Sequence, residues 1–212
     1  MKKESGGKGK GERLSAEQRE TVLRRAALDV FLEKGYRAAS LDEIIRRAGG
    51  SRRTIYTRFG GKEALFKALV TEIADRTLVP MRQDFDRESS LRENLSKLAD
   101  RLLSALLSPT VLDLSRLALA EGARFPELAR AYFDAGPRSA AESFAALFDL
   151  ARERGEISCP DSQTAAGQFV GILRDNVYLQ VFLRLRPAPD QREREKIIAG
   201  AVEIFLHGLG TF

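Results

Sequence analysis

At 212 residues the chain can enclose a real core, either as one large domain or as a small module joined to a larger one, and its 43% hydrophobic and 31% charged residues exclude a membrane-embedded or poorly collapsing chain. No run approaches eighteen apolar residues, and Met1 to Gly11 has lysines with no apolar stretch behind them, so neither a membrane span nor a secretion signal is expected and the protein is expected in the cytoplasm. Cys159 and His207 are the only residues of their kinds, which excludes an intrachain disulfide and a Cys/His zinc cluster; no metal or cofactor is expected.

The net charge of +5 is unevenly placed. Residues 1–60 hold fifteen Lys or Arg against eight Asp or Glu, and the remainder holds twenty against twenty-two. A basic front suits an N-terminal part that meets a polyanion, although charge alone would serve an anionic lipid surface or solubility equally well. Residues 1–15 have almost nothing to bury and are expected to be a flexible basic arm, serving solubility, nonspecific phosphate contact or insertion into a minor groove.

From Ala16 the pattern becomes helical, with Val22, Ala26, Ala27, Val30 and Phe31 at helical spacing and Gly35 closing the run. Ser40 and Glu43 form a capping box for a second helix carrying Leu41, Ile44, Ile45 and Ala48, which Gly49 and Gly50 stop. Ser51 caps a third short helix, Arg52 to Arg58, in which Ile55 and Phe59 are four apart and share the core face. Two short helices joined by a glycine turn and braced by a longer one predict a helix-turn-helix over residues 16–61.

Everything after Lys62 still reads as helix, so the fold class is all-α: a three-helix head, residues 16–61, joined by the fourth helix to a larger body over residues 62–212. The fourth helix is predicted from Lys62 to Val79, ending at Pro80. Further helices are predicted at Ser89–Leu107, Leu112–Arg124, Glu127–Ala135, Arg138–Arg154, Asp161–Arg184 and Pro189–Leu209. Their boundaries fall at Pro109, Pro126, Gly136–Pro137, Gly155 and the segment from Pro187 to Pro189.

Ser40 to Phe66, SLDEIIRRAGGSRRTIYTRFGGKEALF, is the most informative stretch. Its third helix sets Arg52, Arg53, Thr54, Tyr56, Thr57 and Arg58 around an apolar anchor. A helix in a major groove needs short or bidentate side chains near its N-terminus to reach base edges, with Arg, Tyr and Thr on its flanks to grip phosphate. Arg53 and Thr54 fit the first task; Arg52, Tyr56 and Lys62 fit the second, Lys62 beside the backbone amides that open the fourth helix. Tyr56 could also be partly core with its hydroxyl reaching phosphate, and Arg46 and Arg47 either touch phosphate or form the solvated face of the second helix.

This segment resembles the tetracycline-repressor (TetR) family of bacterial regulators. The match comprises Ala48-Gly49, Ser51, Thr54-Ile55-Tyr56, Phe59 and Lys62-Glu63-Ala64-Leu65-Phe66, and it extends back to Phe31 and Gly35-Tyr36, covering about residues 18–66. The resemblance implies phosphate contacts from Arg52, Tyr56 and Lys62, and places Arg53, Thr54 and Thr57 nearest the bases. Gly50 departs from a commoner Val, with loss of a small core contact, and Ala39 departs from a frequent Thr. The resemblance weakens after Phe66, although Leu117 to Gly136 looks like the sixth and seventh helices of many members.

The resemblance also implies a homodimer formed through the last two helices, whose apolar positions are Phe169, Ile172, Leu173 and Val177, then Ile197, Ile198, Ala201, Ile204 and Phe205. The same stripe could be ordinary intrachain core. A dimer would set two recognition helices one helical turn apart on a palindromic operator. A small, largely apolar effector is expected among the fourth to eighth helices, and Asn94, Arg116, Gln168, Asp175, Asn176 and Tyr178 are candidates to orient it; each could instead pair across the dimer, cap a helix or face water. Repression is the expected mode, because a dimer on an operator blocks polymerase with no further surface. Two other classes compete. An all-helical enzyme finds no metal-ligand spacing, phosphate loop or paired catalytic motif here. A helical interaction protein with a DNA-binding head but no effector would show a fully packed body.

Overall fold

A computed structural model describes residues 15–83, 86 and 88–209. Most of the expected basic arm therefore lies outside the described residues. The elements are α1 (Ala16–Ala38), α2 (Leu41–Ala48), α3 (Arg52–Phe59), α4 (Lys62–Gln83), α5 (Leu91–Leu106), α6 (Pro109–Glu121), α7 (Pro126–Phe133), a π-helical turn (Asp134–Arg138), α8 (Ser139–Glu153), α9 (Ser162–Leu173), α10 (Asn176–Phe182) and α11 (Gln191–Leu209). No strand occurs among the described residues, and no single helix there is long and apolar enough to cross a membrane.

α1 opens with a complete capping box, Ser15 accepting from the Gln18 amide while the Gln18 side chain accepts from the Ser15 amide. Leu23, Ala26, Ala27, Val30 and Phe31 face inward, whereas Val22 is 39% exposed, so the apolar stripe is one residue off the predicted set. Gly35, at φ 77°, breaks the helix before a last turn that carries Tyr36 into the core.

The predicted boundaries fail at Pro80 and Pro137, where proline is absorbed into helix, and hold at Pro109 and Pro126. α4 runs through Pro80 to Gln83: the lost backbone bond is outweighed because Leu78 and Met81, on either side, are anchored in the body core. Pro109 and Pro126 each sit in the first turn of a helix, where a missing N–H costs nothing. Pro137 lies inside the π turn, so α7 passes into α8 without a loop. Conversely, the helix predicted from Asp161 to Arg184 is two. The chain leaves helical geometry at Arg174, and the Asp175 carboxylate restarts it by accepting from the Val177 and Tyr178 amides.

Two apolar clusters hold the molecule. The first joins α1 to α4 with α6 and α7, uniting Phe31, Ile44, Ile55, Leu65 and Phe66 with Leu114, Ala118 and Leu128. Its centre is aromatic: Tyr36 lies 5.6 Å from Phe31, 5.5 Å from Phe66 and 5.1 Å from Phe125. The second is the body core, where α5, α8, α9 and α11 meet around Phe144, Phe148, Phe169 and Phe205. Cys159 is buried there.

Candidate nucleic-acid interface and effector cleft

α3 has only eight residues, too few to be stable alone, and three local features make it helical. Ser51 is extended and accepts from the Thr54 amide at 3.2 Å; Gly60 closes the other end in left-handed geometry, donating to the Tyr56 carbonyl at 3.0 Å; and Ile55 is fully buried. With Ile55 fixed inward, Arg52, Arg53, Tyr56, Thr57 and Arg58 are exposed and Thr54 is half-buried, its hydroxyl 3.1 Å from that of Ser51. Preceding them, Gly50 sits at φ 104°, a conformation closed to valine without strain, so the glycine serves the turn rather than merely losing a contact.

Arg53, Thr54 and Thr57 line one solvent-open groove with Arg19, Gly49 and Gly50. Arg53 makes no ion pair among the described residues. Arg52, in contrast, forms a bidentate pair with Asp42, which draws that carboxyl below its ordinary range. Tyr56, one turn along from Arg52, is 56% exposed, its ring near Gly61. The half-buried Lys62 ammonium stands 4.5 Å from the Tyr36 ring centre and donates to the Arg37 carbonyl at 3.3 Å; burial pushes its pKa down. The six residues predicted to meet DNA thus occupy one end of the molecule, on α3 and the start of α4.

Arg46 and Arg47 converge on Glu43, and their hydrogen bonds hold its carboxyl down to about 2. Glu43 is therefore turned away from the Ser40 backbone, and only half of the expected capping box forms: Ser40 accepts from the Glu43 amide. Arg47 also forms a two-bond pair with Glu33.

A cleft opens in the body. Val70, Ile73, Ala74, Thr77 and Leu78 of α4 form one wall, Leu102, Ala105 and Leu106 of α5 with Val111 and Leu114 of α6 the second, and Tyr132, Gly136, Pro137, Ala140, Val170 and Arg174 the third. The volume between the walls is about 70 Å³, below the range of occupied small-molecule sites, so a drug-sized ligand must part the walls to enter. Its lining is almost wholly apolar.

At the opposite end of α6 from Val111, the Glu121 carboxylate accepts from the Tyr36 amide at 2.6 Å and the Arg37 amide at 2.9 Å. A side chain at Gly35 would meet it, since a Cβ there falls 2.4 Å from Glu121 Oε1.

The family model for bacterial regulatory proteins of the tetR family matches residues 23–69, and that for the AefR-like transcriptional repressor C-terminal domain matches residues 93–209. The chain belongs to the TetR family. This is a family of DNA-binding transcriptional regulators, not of enzymes. FasR of Mycolicibacterium smegmatis, a transcriptional activator, is 35% identical over 94 residues, 44% of this chain and 43% of its own, so the match spans less than half of FasR. TtgW of Pseudomonas putida is 32% identical over 110 residues, 51% of this chain and 79% of its own. Among solved structures, a TetR-family regulator from Mesorhizobium loti superposes with a TM-score of 0.79 at 28% identity, covering 94% of this chain and all of that one. The flavonoid-responsive regulator FrrA superposes with a TM-score of 0.76 at 28% identity, covering 91% and 97%.

None of the six residues singled out as effector contacts in this TetR-family chain lines the cleft. Asn94 is buried, bonding its side chain to the backbone of Asp86 and Ser89. Arg116 donates to the Val181 and Phe182 carbonyls and to Asp113, fixing α6 to α10. Asp175 caps α10, Tyr178 accepts from Arg174 at 3.3 Å behind the cleft wall, and Gln168 and Asn176 are exposed. The cleft's polar groups are instead Tyr132, Arg174 and Thr77. Only the break between α9 and α10 brings Arg174 there, and its signal, Asp175 as a helix cap, was legible but masked by continuous apolar spacing.

Proposed function

We propose that the protein is a cytoplasmic repressor that binds a palindromic operator as a homodimer and leaves it when a small, largely apolar effector enters the body cleft. Arg53, Thr54 and Thr57 would read bases, while Arg52, Tyr56 and Lys62 would hold phosphates, Arg52 exchanging Asp42 for phosphate. The observation that carries the reading is continuity of two helices between cleft and head. α4 buries Leu65, Phe66, Leu69 and Val70 in the head cluster and lines the cleft with Val70 to Leu78. α6 lines it with Val111 and Leu114 and ends at the Glu121 clasp on the Tyr36 and Arg37 backbone. A ligand that wedges these walls apart moves the head directly, favouring a head spacing that no longer fits the operator.

The dimer reading draws on apolar side chains left outside. Phe169, Leu173, Ile198, Ala201 and Phe205 of the predicted stripe are taken up by the chain's own core, whereas Ile204 is 68% exposed and Leu179 of α10 and Leu183 just beyond it are about half exposed. A second copy covering them through α10 and α11 would set two α3 helices about 34–36 Å apart. FrrA's description as flavonoid-responsive supports a small-molecule effector, and the C-terminal model's description supports repression, while FasR is an activator.

The test is a footprint on DNA upstream of the protein's own gene, at stated salt, paired with transcription from that DNA. Protection of a palindrome, with transcription falling as protein rises, is expected. Rising transcription would make the protein an activator; weak, sequence-indifferent and strongly salt-dependent binding there and across a genome would remove the operator reading.

A further inference from the structure

Among the described residues, Arg174 is the one charged side chain lining the apolar cleft. It is half-buried, its Nε is buried with no hydrogen-bond partner, and it makes no ion pair among the described residues. Nη2 has one long bond, 3.3 Å, to the Tyr178 hydroxyl, and the guanidinium sits 5.1 Å from that ring. The acidic groups nearby in sequence and in the π turn are engaged elsewhere: Asp175 caps α10, and Asp134 pairs with Arg138 at 3.1 Å. Burial works against the charge of Arg174, but the Tyr178 and Tyr132 hydroxyls outweigh it and raise its pKa, and guanidinium stays protonated throughout.

A half-buried cation with an unpartnered Nε and no carboxylate beside it in an apolar pocket is costly unless something anionic completes it. We infer that the effector is an amphipathic acid, its apolar body in the cleft and a carboxylate or similar oxyanion against the Arg174 guanidinium. Guanidinium matches such a head in the plane of its fork, and low polarity around the pair strengthens both bonds. Tyr132, held near 2.5 Å from Ser115 by its hydroxyl, joins Arg174 as a polar group in a lining that is otherwise apolar but for Thr77. A neutral apolar molecule would fill the cleft and leave the guanidinium unanswered.

The inference rests on the cleft being the effector site, so the test separates the two. Two fluorescent probes share one ring system, 8-anilinonaphthalene-1-sulfonate with an anionic head and N-phenyl-1-naphthylamine without. Each is titrated into the full chain, into Arg174→Met and Arg174→Lys, and into Val111→Trp, which fills the cleft; thermal melts verify folding. Both probes are expected to be lost in Val111→Trp. Arg174→Met should weaken the sulfonate about ten- to a hundredfold, the worth of a charge-assisted bond, and the neutral probe less than about threefold. Arg174→Lys, retaining the charge without the fork, should fall between. Equal effects of Arg174→Met on both probes, or none on either, would overturn the acid-headed effector while leaving the cleft as the site. Probes indifferent to Val111→Trp would remove the cleft reading itself.

Discussion

Arg52 and Arg53 are neighbours with different electrostatic situations, and that difference separates the effects expected from them. Arg53, with no ion pair among the described residues and a place in the groove beside Thr54 and Thr57, is the proposed base reader. Arg53→Ala is expected to cost about 1–3 kcal/mol in operator binding and to relax preference at one base of each half-site. Arg52→Ala should weaken operator and unrelated DNA alike and reduce the salt slope by about one, because a phosphate contact carries no base information. Competition titrations on matched and mismatched duplexes at two salt concentrations distinguish these outcomes. Residues of this kind were readable in sequence because they crowd into seven consecutive positions and one helix start. Arg174 and the cleft walls were not, since they are drawn from α4 through α9 and meet only in the fold. The six polar residues chosen in their place are prominent in sequence because they interrupt apolar runs, and for Asn94, Arg116 and Asp175 that interruption satisfies backbone groups.

At the scale of elements, the head depends on caps more than on length. Ser51→Ala removes the acceptor for the Thr54 amide and should destabilise the chain by about 1 kcal/mol in denaturant unfolding. The effect on operator affinity should be larger than that of an equally destabilising change in the body, because α3 itself frays. The Glu43 bridge gives α2 a pH signature. Arg46 and Arg47 depress the folded-state carboxyl to about 2, so its contribution is present above the ordinary carboxylate range and is lost as pH falls through the window from about 4.5 to 2. Glu43→Gln should flatten the acid limb of the stability profile, and because Arg46 is exposed and Glu43 and Arg47 are only partly buried, added salt should shrink the difference. Helix identity was legible from caps and apolar spacing except at Arg174, where one predicted helix is two. The ends were not legible at 80 and 137, where proline was absorbed into helix.

At the scale of the molecule, cleft and head share α4 and α6, and Glu121 is the narrowest point of that connection. Glu121→Ala leaves the buried Tyr36 amide without its acceptor, a loss of about 1–3 kcal/mol by chemical unfolding. More tellingly, the variant should bind operator with a smaller response to any cleft-occupying probe than the parent shows. Gly35→Ala attacks the same joint from the other side, through an unfavourable φ and a Cβ against the carboxylate, and should act likewise. A head of three helices on a helical body was readable from the distribution of charge and the Ser40–Phe66 segment. That the head core extends into α6 and α7 was not, because it depends on long-range packing of Leu114, Ala118 and Leu128.

A two-fold symmetric molecule that reads bases through α3 can be sought by selecting binding sites from random duplex DNA with the parent chain and with Arg53→Ala at one stated salt concentration. The expected result is a palindrome whose half-site centres are about one helical turn apart, with base preference in the variant lost at the same position of both halves. Enrichment of an asymmetric site, or of none, or a palindrome that Arg53→Ala leaves unchanged at every position, would contradict it.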